Sequence, residues 1–386
     1  MTVSVAESLT AGGPTETGLS ALFARVRNDI DQDVLPSAQV AIGHAGAIAG
    51  IRTFGEAVQG GTRRPATDET LYSLFSATKA IVGAATWALC EDGLLRIEER
   101  VAEIIPEFAT NGKDIVTVEQ VMLHIGGFPS APFQPGDWDN RERRLQRFAQ
   151  WRLNWEPGSR FEYHATSAHW VLAEIIERRT GVDFRRYIRQ RLLDPMGLHD
   201  LYVGLPPEMN DRVADVVHVT PPEPPPGGWG EVTPDAILNF NRPEIRLVGV
   251  PGGGGVGGAA QLAAFYQVLI NGGECRGGGH VLKPETIEWA TRVRTTDQHR
   301  DPILGHPVNR ALTVVVAGDD GLAEQRGFGA GTSARAFGHA GAGGQIAWGD
   351  PISGISLGYC TNGFVGLEAQ RQRTAEVSTL AARCSR

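Results

Sequence analysis

The chain has 386 residues, 41% of them hydrophobic and 21% charged, which is typical of a globular protein with one large domain or two. A formal net charge of −8 argues against binding to nucleic-acid phosphates or to an anionic membrane surface. No apolar stretch approaches the ~20 residues that a membrane-spanning helix needs.

The first 20 residues have neither the basic region nor the apolar core of a signal peptide. The four cysteines, Cys90, Cys275, Cys360 and Cys384, are scattered without the paired spacing of a metal site. We therefore expect free thiols, a reducing compartment and a cytoplasmic location.

The N-terminal part of the chain predicts a short tail, a helix, a hairpin and a second helix. Residues 1–16 are small and polar and read as a loose tail. Apolar residues from Leu19 to Ile30 recur at helical spacing. Segments 39–43 and 47–54 read as two strands of a hairpin, and residues 78–90 have the apolar density of a buried helix.

The middle of the chain is mostly helix and loop, and the last third returns to strands. Thr117 and Gln120 form the pattern of a capping box. Further helices are predicted at 167–179, 184–193, 260–270 and 367–382, and strands at 311–317, 336–339, 345–349 and 354–361. Residues 221–228 are proline-rich and read as a spacer loop.

These elements predict an α+β fold. An antiparallel sheet is built from the N- and C-terminal segments, flanked by helices, with a mostly helical lobe inserted. The predicted division is a sheet domain of residues 17–96 and 306–386 and an inserted domain of residues 97–305.

Ser76 and Lys79 are the first candidate catalytic residues. Positions i and i+3 share one face of a helix, so the Ser76 hydroxyl and the Lys79 amine can meet within one turn. A serine needs a neighbouring base to become a nucleophile, and a lysine becomes that base when burial disfavours its charged form. Lys79, Lys113 and Lys283 are the only lysines, and arginine cannot take over this role.

Two other patterns predict different chemistry less well. The glycine-rich segment 251–258 precedes a helix but is not followed by Gly-Lys-Ser/Thr, so it fits a pocket rim better than a phosphate cradle. Ser356 lies in a Gly-x-Ser-x-Gly pattern, which in an α/β-hydrolase requires a strand, a turn, a helix and a later histidine. Here a strand continues and no histidine follows His339, so Ser356 is interpreted as a strand residue.

Two further segments supply candidate site residues. A turn at 157–159 precedes Tyr163, whose phenol near a lysine could shuttle protons, with His124, His164 and His169 as rival bases. Segment 337–345 is rich in small residues, so its backbone N–H groups could approach a substrate and stabilise an oxyanion.

These three segments occur in the order found in the serine β-lactamase and penicillin-binding-protein superfamily, which the chain resembles over residues 19–365. Segments 121–129 and 193–198 are similar to further motifs of that superfamily. Penicillin-recognising members carry Tyr-x-Asn and Lys-Thr-Gly, where this chain has Tyr-His-Ala at 163–165 and His-Ala-Gly at 339–341. Both departures look like the family VIII carboxylesterases.

The resemblance implies a role for each candidate residue. Ser76 is the acylated nucleophile, Lys79 is its base, and Tyr163 activates Ser76 or protonates the leaving alkoxide. The N–H groups of Ser76 and of Ala342, placed on an edge strand, form the oxyanion hole. His339 and Gly341 contact the substrate.

The sequence therefore predicts a serine esterase for short-chain carboxylic esters, with a small-molecule substrate and no cofactor or metal. Amide, D-peptide or weak β-lactam hydrolysis and acyl transfer use the same residues, and a non-catalytic ligand-binding sensor uses the same scaffold. No nucleic-acid or membrane partner is expected. A homo-oligomer is neither indicated by a heptad pattern nor excluded.

Overall fold

The computed structural model describes residues 12–131, 133, 135–224, 228–229 and 233–385. Residues 1–11 of the predicted tail and residues 225–227 of the proline-rich loop lie outside the described residues. Within the described part, no helix has both the length and the hydropathy to cross a bilayer.

The described helices range in length from 4 residues in α3 to 17 residues in α12. They are α1 (Glu16–Asp31), α2 (Thr78–Glu91), α3 (Val101–Ile104), α4 (Val118–Met122), α5 (Arg141–Gln150), α6 (Ser167–Thr180), α7 (Phe184–Ile188), α8 (Pro234–Leu238), α9 (Pro243–Val248), α10 (Ala259–Ile270), α11 (Pro284–Thr291) and α12 (Leu367–Arg383).

The described strands fall into three sheets. They are β1 (Ser37–His44), β2 (Ala47–Gln59), β3 (Thr62–Pro65), β4 (Tyr72–Ser73), β5 (Tyr202–Val203), β6 (Val217–His218), β7 (Gly255–Gly257), β8 (Val315–Val316), β9 (Phe337–Gly338), β10 (Ile346–Gly349), β11 (Ser356–Thr361) and β12 (Gly363–Phe364).

The large sheet combines the two ends of the chain. Its order is β3-β2-β1-β11-β10-β9-β8, and neighbouring strands are antiparallel throughout. The β1–β2 hairpin turns at Ala45 and Gly46, whose φ angles of 50° and 74° suit the tight turn that joins two twisted strands. The predicted α+β fold with a sheet built from both ends is confirmed.

Helices cover both faces of this sheet, and β1 is therefore buried on both sides. Val40 and Ile42 pack with residues of α1 and α12 on one face, whereas Ala41 packs with residues of α10 on the other. Successive side chains of a strand point to opposite faces, so a strand covered on both sides buries consecutive apolar residues, here Val40, Ala41 and Ile42. The covered sheet therefore gives rigid support to the segment that leads to α2.

Two small sheets position the segments around the start of α2. Strand β7 pairs with β4 and β5, so the glycine-rich segment lies beside the residues that precede Ser76. Strands β6 and β12 form a parallel pair. The capping box predicted at Thr117 and Gln120 is present, with the two reciprocal hydrogen bonds that begin α4.

Candidate active site

Ser76 lies on a tight 3-10 turn, Phe75–Ala77, between β4 and α2. Phe75 has a φ of 47°, a left-handed conformation that is rare for a bulky residue. Its ring packs edge-on against Phe240 and Phe364, with both pairs of ring centroids 5.3 Å apart. These contacts hold the strained backbone in place, as is common at functional sites.

Lys79 is in the first turn of α2, and its side chain points back toward Ser76. Its Nζ lies 3.2 Å from Ser76 Oγ, 2.7 Å from the carbonyl oxygen of Ala165 and 2.6 Å from that of Gly252. The side chain is fully buried. The predicted i, i+3 contact between the amine and the hydroxyl is present.

The partners of Lys79 Nζ define how it can exchange a proton with Ser76. A carbonyl oxygen only accepts hydrogen bonds, so both carbonyl contacts use N–H groups of Lys79. The hydroxyl of Ser76 can either donate or accept. A neutral amine has two N–H groups, which the two carbonyl oxygens can accept, and a lone pair that can accept the proton of a hydroxyl.

The glycine-rich segment provides one of these carbonyls and packs against the start of α2. A Cβ on Gly255 would lie 2.6 Å from Thr78 Oγ1, which is closer than any side chain allows. Instead the backbone N–H of Gly255 donates to Thr78 Oγ1 at 2.9 Å. The segment is therefore closely packed beside Lys79. Its predicted role as the rim of a pocket stays a prediction.

Tyr163 lies next to this pair. The Nζ of Lys79 is 4.9 Å from the centroid of its ring, within the range of a cation–π contact. Its Oη has no hydrogen-bond partner among the described residues, and so it makes no hydrogen bond to Ser76. The proton-transfer role implied for Tyr163 stays a prediction.

The three rival histidines form a buried cluster next to Tyr163. The ring centroid of His124 lies 4.8 Å from that of Tyr163, and those of His164 and His169 lie 5.7 and 5.9 Å from that of His124. His164 Nε2 accepts from the N–H of Phe128, and its Nδ1 donates to the carbonyl of Glu162, so backbone groups use both nitrogens. His124 Nδ1 accepts from the N–H of His164, and the ring of His169 stacks on that of His124. Burial lowers the pKa of all three, that of His164 to about 4.

His339 follows β9 and has a defined tautomer. Its Nδ1 lies 2.7 Å from the carbonyl oxygen of Ala340, which can only accept. Its Nε2 lies 3.4 Å from Nη1 of Arg310, which can only donate. The proton is therefore on Nδ1. Burial, with Arg310 and Lys79 nearby, holds the pKa of His339 well below its usual value, so the ring is neutral.

Gly341 brings the next segment close to Ser76. A Cβ at this position would lie 2.3 Å from the carbonyl oxygen of Leu74, two residues before Ser76. The prediction that Ala342 lies on an edge strand is wrong. Strand β9 ends at Gly338 and β8 is the edge, whereas Ala342 begins a 3-10 turn, Ala342–Gly344. The prediction failed because the glycine-rich segment after β9 bends and does not continue as a strand.

The candidate residues share one cavity of about 460 Å³. It is lined by Ser76, Tyr163, His339, Gly341 and Ala342. Arg310 also lines the cavity. Sequence analysis missed it because Arg310 belongs to no motif and lies 29 residues before its partner His339.

Ser356 is excluded from this site by its surroundings. It is a residue of β11, fully buried, and its Oγ donates to the carbonyl of Ala263 at 2.7 Å and accepts from Nε2 of Gln267 at 3.0 Å. The interpretation of Ser356 as a strand residue is confirmed.

Structures similar over nearly their whole length define the class of fold. A crystal structure of a penicillin-binding-protein homologue from Caulobacter crescentus has a TM-score of 0.83 and 26% identity, and the match covers 96% of this chain and 99% of that one. A crystal structure of a family VIII carboxylesterase has a TM-score of 0.80 and 24% identity, with the same coverage. The fold is that of β-lactamases and penicillin-binding proteins.

The family follows from a match over most of the sequence. The Beta-lactamase family model matches residues 22–381. The chain belongs to the beta-lactamase family and is a serine hydrolase of that superfamily. Among its relatives, the esterase/beta-lactamase LipL of Mycobacterium tuberculosis (strain ATCC 25618 / H37Rv) is 28% identical over 337 residues, which cover 76% of this chain and 72% of LipL.

Proposed function

We propose that this protein is a serine esterase that cleaves short-chain carboxylic esters through an acyl-enzyme on Ser76. The observation that carries the proposal is the position of Lys79 Nζ. Two carbonyl oxygens accept from its N–H groups at 2.7 and 2.6 Å, and Ser76 Oγ lies 3.2 Å away. This arrangement suits a neutral amine that takes a proton from a serine.

The reaction proceeds in two half-reactions. Lys79 Nζ accepts the proton of Ser76 while Oγ bonds to the ester carbonyl carbon, and the backbone N–H groups of Ser76 and Ala342 stabilise the oxyanion. The bond from carbon to the alcohol oxygen then breaks, and the alkoxide receives, through Tyr163, the proton that Lys79 took from Ser76, which leaves Lys79 neutral. Water attacks the acyl-enzyme and its proton passes to Lys79, which then donates that proton to Ser76 Oγ as the carboxylic acid leaves.

The side chains that replace the penicillin-recognition motifs support ester cleavage. Ala165 brings only a methyl group, and its carbonyl is used by Lys79. The ring of His164 is directed at backbone groups of Phe128 and Glu162. His339 presents a neutral ring to the cavity. A cavity of about 460 Å³ suits a small substrate.

The test compares two serines with the same substitution. Ser76→Ala is expected to lower kcat/KM for p-nitrophenyl butyrate by at least about 10³-fold, since the nucleophile is lost. Ser356→Ala is the matched control, since it removes a buried hydroxyl outside the cavity, and it is expected to keep most of the activity.

Labelling with a fluorophosphonate followed by peptide mapping identifies the reacting serine directly. We expect an adduct on Ser76 in the unmodified protein and in Ser356→Ala. Full esterase activity in a folded Ser76→Ala protein would contradict the proposal. Absence of any adduct and of any turnover would favour the non-catalytic ligand-binding alternative.

Amide, D-peptide or β-lactam hydrolysis is the second candidate function. It is supported by the similarity of the chain to an esterase/beta-lactamase and to a penicillin-binding-protein homologue. Turnover of p-nitrophenyl butyrate and nitrocefin by the same preparation separates the two. Added alcohol that diverts the acyl group to a new ester would instead indicate acyl transfer.

A further inference from the structure

Arg310 places a positive charge in the wall of the cavity that contains Ser76. Its side chain is half-buried between two aromatic rings. The guanidinium carbon lies 5.4 Å from the ring centroid of Phe161 and 5.4 Å from that of Tyr163. Both distances are typical of cation–π contacts, which fix the plane of the group.

The guanidinium has few polar partners for a group with five N–H donors. Its Nη1 lies 3.4 Å from Nε2 of His339, a long hydrogen bond to a neutral ring. No carboxylate of the described residues lies within ion-pair distance of it, although Arg326, which also lines the cavity, is paired with Asp320. A partly desolvated charge without a counter-charge is costly.

The neighbouring charges show why Arg310 stays unpaired. Asp301 lines the same cavity, but its Oδ1 accepts from the N–H groups of Ile303 and Leu304, both at 2.8 Å, within its own turn. Arg326, the other arginine of the wall, donates from two nitrogens to both oxygens of Asp320. The charge of Arg310 is therefore free to bind an anion that enters the cavity.

The position of Arg310 also indicates which part of a substrate carries that anion. Its guanidinium stacks on Tyr163, the residue through which the proposed mechanism protonates the leaving alkoxide. A group bound by Arg310 thus lies beside the alcohol portion of an ester and away from the acyl group on Ser76.

We propose that Arg310 binds a carboxylate on the alcohol portion of the substrate, so that the preferred substrates are esters of hydroxy acids. This inference rests on the proposed esterase function. A carboxylate matches the planar fork of a guanidinium, which can donate two parallel hydrogen bonds to it. His339 helps to position the guanidinium, because its Nε2 accepts from Nη1.

The test uses two esters that differ in charge and hardly in shape, 3-carboxyphenyl butyrate and 3-carbamoylphenyl butyrate. Hydrolysis is followed through release of the phenol. We expect the protein to favour the carboxyl ester in kcat/KM by at least about tenfold, the effect of one charge-assisted hydrogen bond. Arg310→Gln is expected to bring that ratio close to one, whatever happens to the two individual rates.

Two further variants sharpen the result. Arg310→Lys keeps the charge without the fork and is expected to retain part of the preference. Arg335→Gln is the matched control, since it removes the same charge from an exposed position outside the cavity, and it should leave the ratio unchanged.

The outcomes separate this inference from the function on which it rests. Cleavage of both esters at similar kcat/KM, or a preference that survives Arg310→Gln, would overturn the role of Arg310 and leave the esterase proposal standing. Cleavage of neither ester, with no fluorophosphonate adduct on Ser76, would overturn both.

Discussion

Removal of one atom, the Oη of Tyr163, can test the catalytic role of this residue separately from its effect on stability. Its Oη makes no hydrogen bond among the described residues, so Tyr163→Phe removes no contact that supports the fold. We expect the substitution to lower kcat by about 10²- to 10⁴-fold, the usual contribution of a proton donor. The free energy of unfolding should change by less than about 0.5 kcal/mol.

Tyr187 is the matched control for this prediction. It lies in α7, away from the cavity, and its Oη likewise has no hydrogen-bond partner in the described part of the chain. Tyr187→Phe makes the same chemical change and should leave kcat unaltered. If Tyr163→Phe keeps full activity in parallel assays, Lys79 alone carries the proton transfers.

Sequence analysis identified Ser76 and Lys79, whose chemistry depends on neighbours in the chain. It missed Arg310, whose position depends on contacts between distant segments. Ser76 and Lys79 are three positions apart, so the helical repeat alone brings them together. Arg310 forms an isolated bridge with Val315 of β8, and β8 pairs with β9, which precedes His339. Nothing in the residues around Arg310 expresses that pairing.

Helix α2 depends on one close approach that only glycine allows. A Cβ on Gly83 would lie 1.6 Å from Oγ1 of Thr313 and 2.6 Å from its Cβ. The same segment is attached to α2 by Trp87, whose Nε1 donates to the carbonyl of Leu312 at 3.1 Å. The helix that carries Lys79 is therefore packed against the segment that carries Arg310.

This contact gives a prediction at the scale of the element. Gly83→Ala is expected to lower the free energy of unfolding by about 1–3 kcal/mol, as overpacking of a core usually does. Thr313 has a φ of 65°, so Thr313→Gly removes both the obstructing side chain and a strained backbone residue.

Denaturant unfolding of the two single variants and the double variant measures the coupling between these positions. The double variant should be more stable than Gly83→Ala alone. Equal losses in Gly83→Ala and in the double variant would show that the clash does not involve Thr313.

The helices and strands of the structure differ in how well the sequence predicted them. The helix predicted at 78–90 corresponds to α2 (Thr78–Glu91), because a continuous apolar run between clear boundaries has few alternatives. The strand predicted at 311–317 is only Val315–Val316, since the left-handed Thr313 interrupts the extended conformation. Strands β4, β5 and β7 were not predicted, because two or three residues show no periodicity.

At the scale of the whole molecule, buried neutral histidines make stability depend on pH. The pKa values of His124, His164, His169 and His339 are all lowered, mainly by burial. In the unfolded chain, a histidine takes up a proton near pH ~6.5. As the pH falls below that value, the unfolded state binds more protons than the folded state, and the free energy of unfolding decreases.

We expect this loss to reach about 1.4 kcal/mol per pH unit for each histidine that stays neutral in the fold. Urea unfolding at several pH values between 4.5 and 8, a range set by the pKa of ~6.5 of free histidine, measures it. The loss should begin as the pH falls through that value. A free energy of unfolding that stays constant down to the lower end of the range would contradict the assignment of neutral rings.

The sheet explains which part of the architecture a sequence can reveal. Strand-like segments at both ends of the chain, separated by a helical middle, were enough to predict a sheet formed by the two ends. The order of the strands and the position of the edge were not predicted, because pairing between distant segments leaves no local pattern. The domain boundaries at 96–97 and 305–306 stay a prediction.

Strand β1 pairs with β2 on one side and with β11 on the other. The pairing of β1 with β11 therefore cannot form early in biosynthesis. At ribosomal rates, β11 is made on the order of tens of seconds after β1. During that interval the N-terminal hairpin presents an unpaired apolar edge, the kind of surface that molecular chaperones shield from aggregation. Expression at a lower temperature, or with more chaperone available, should therefore increase the yield of folded protein.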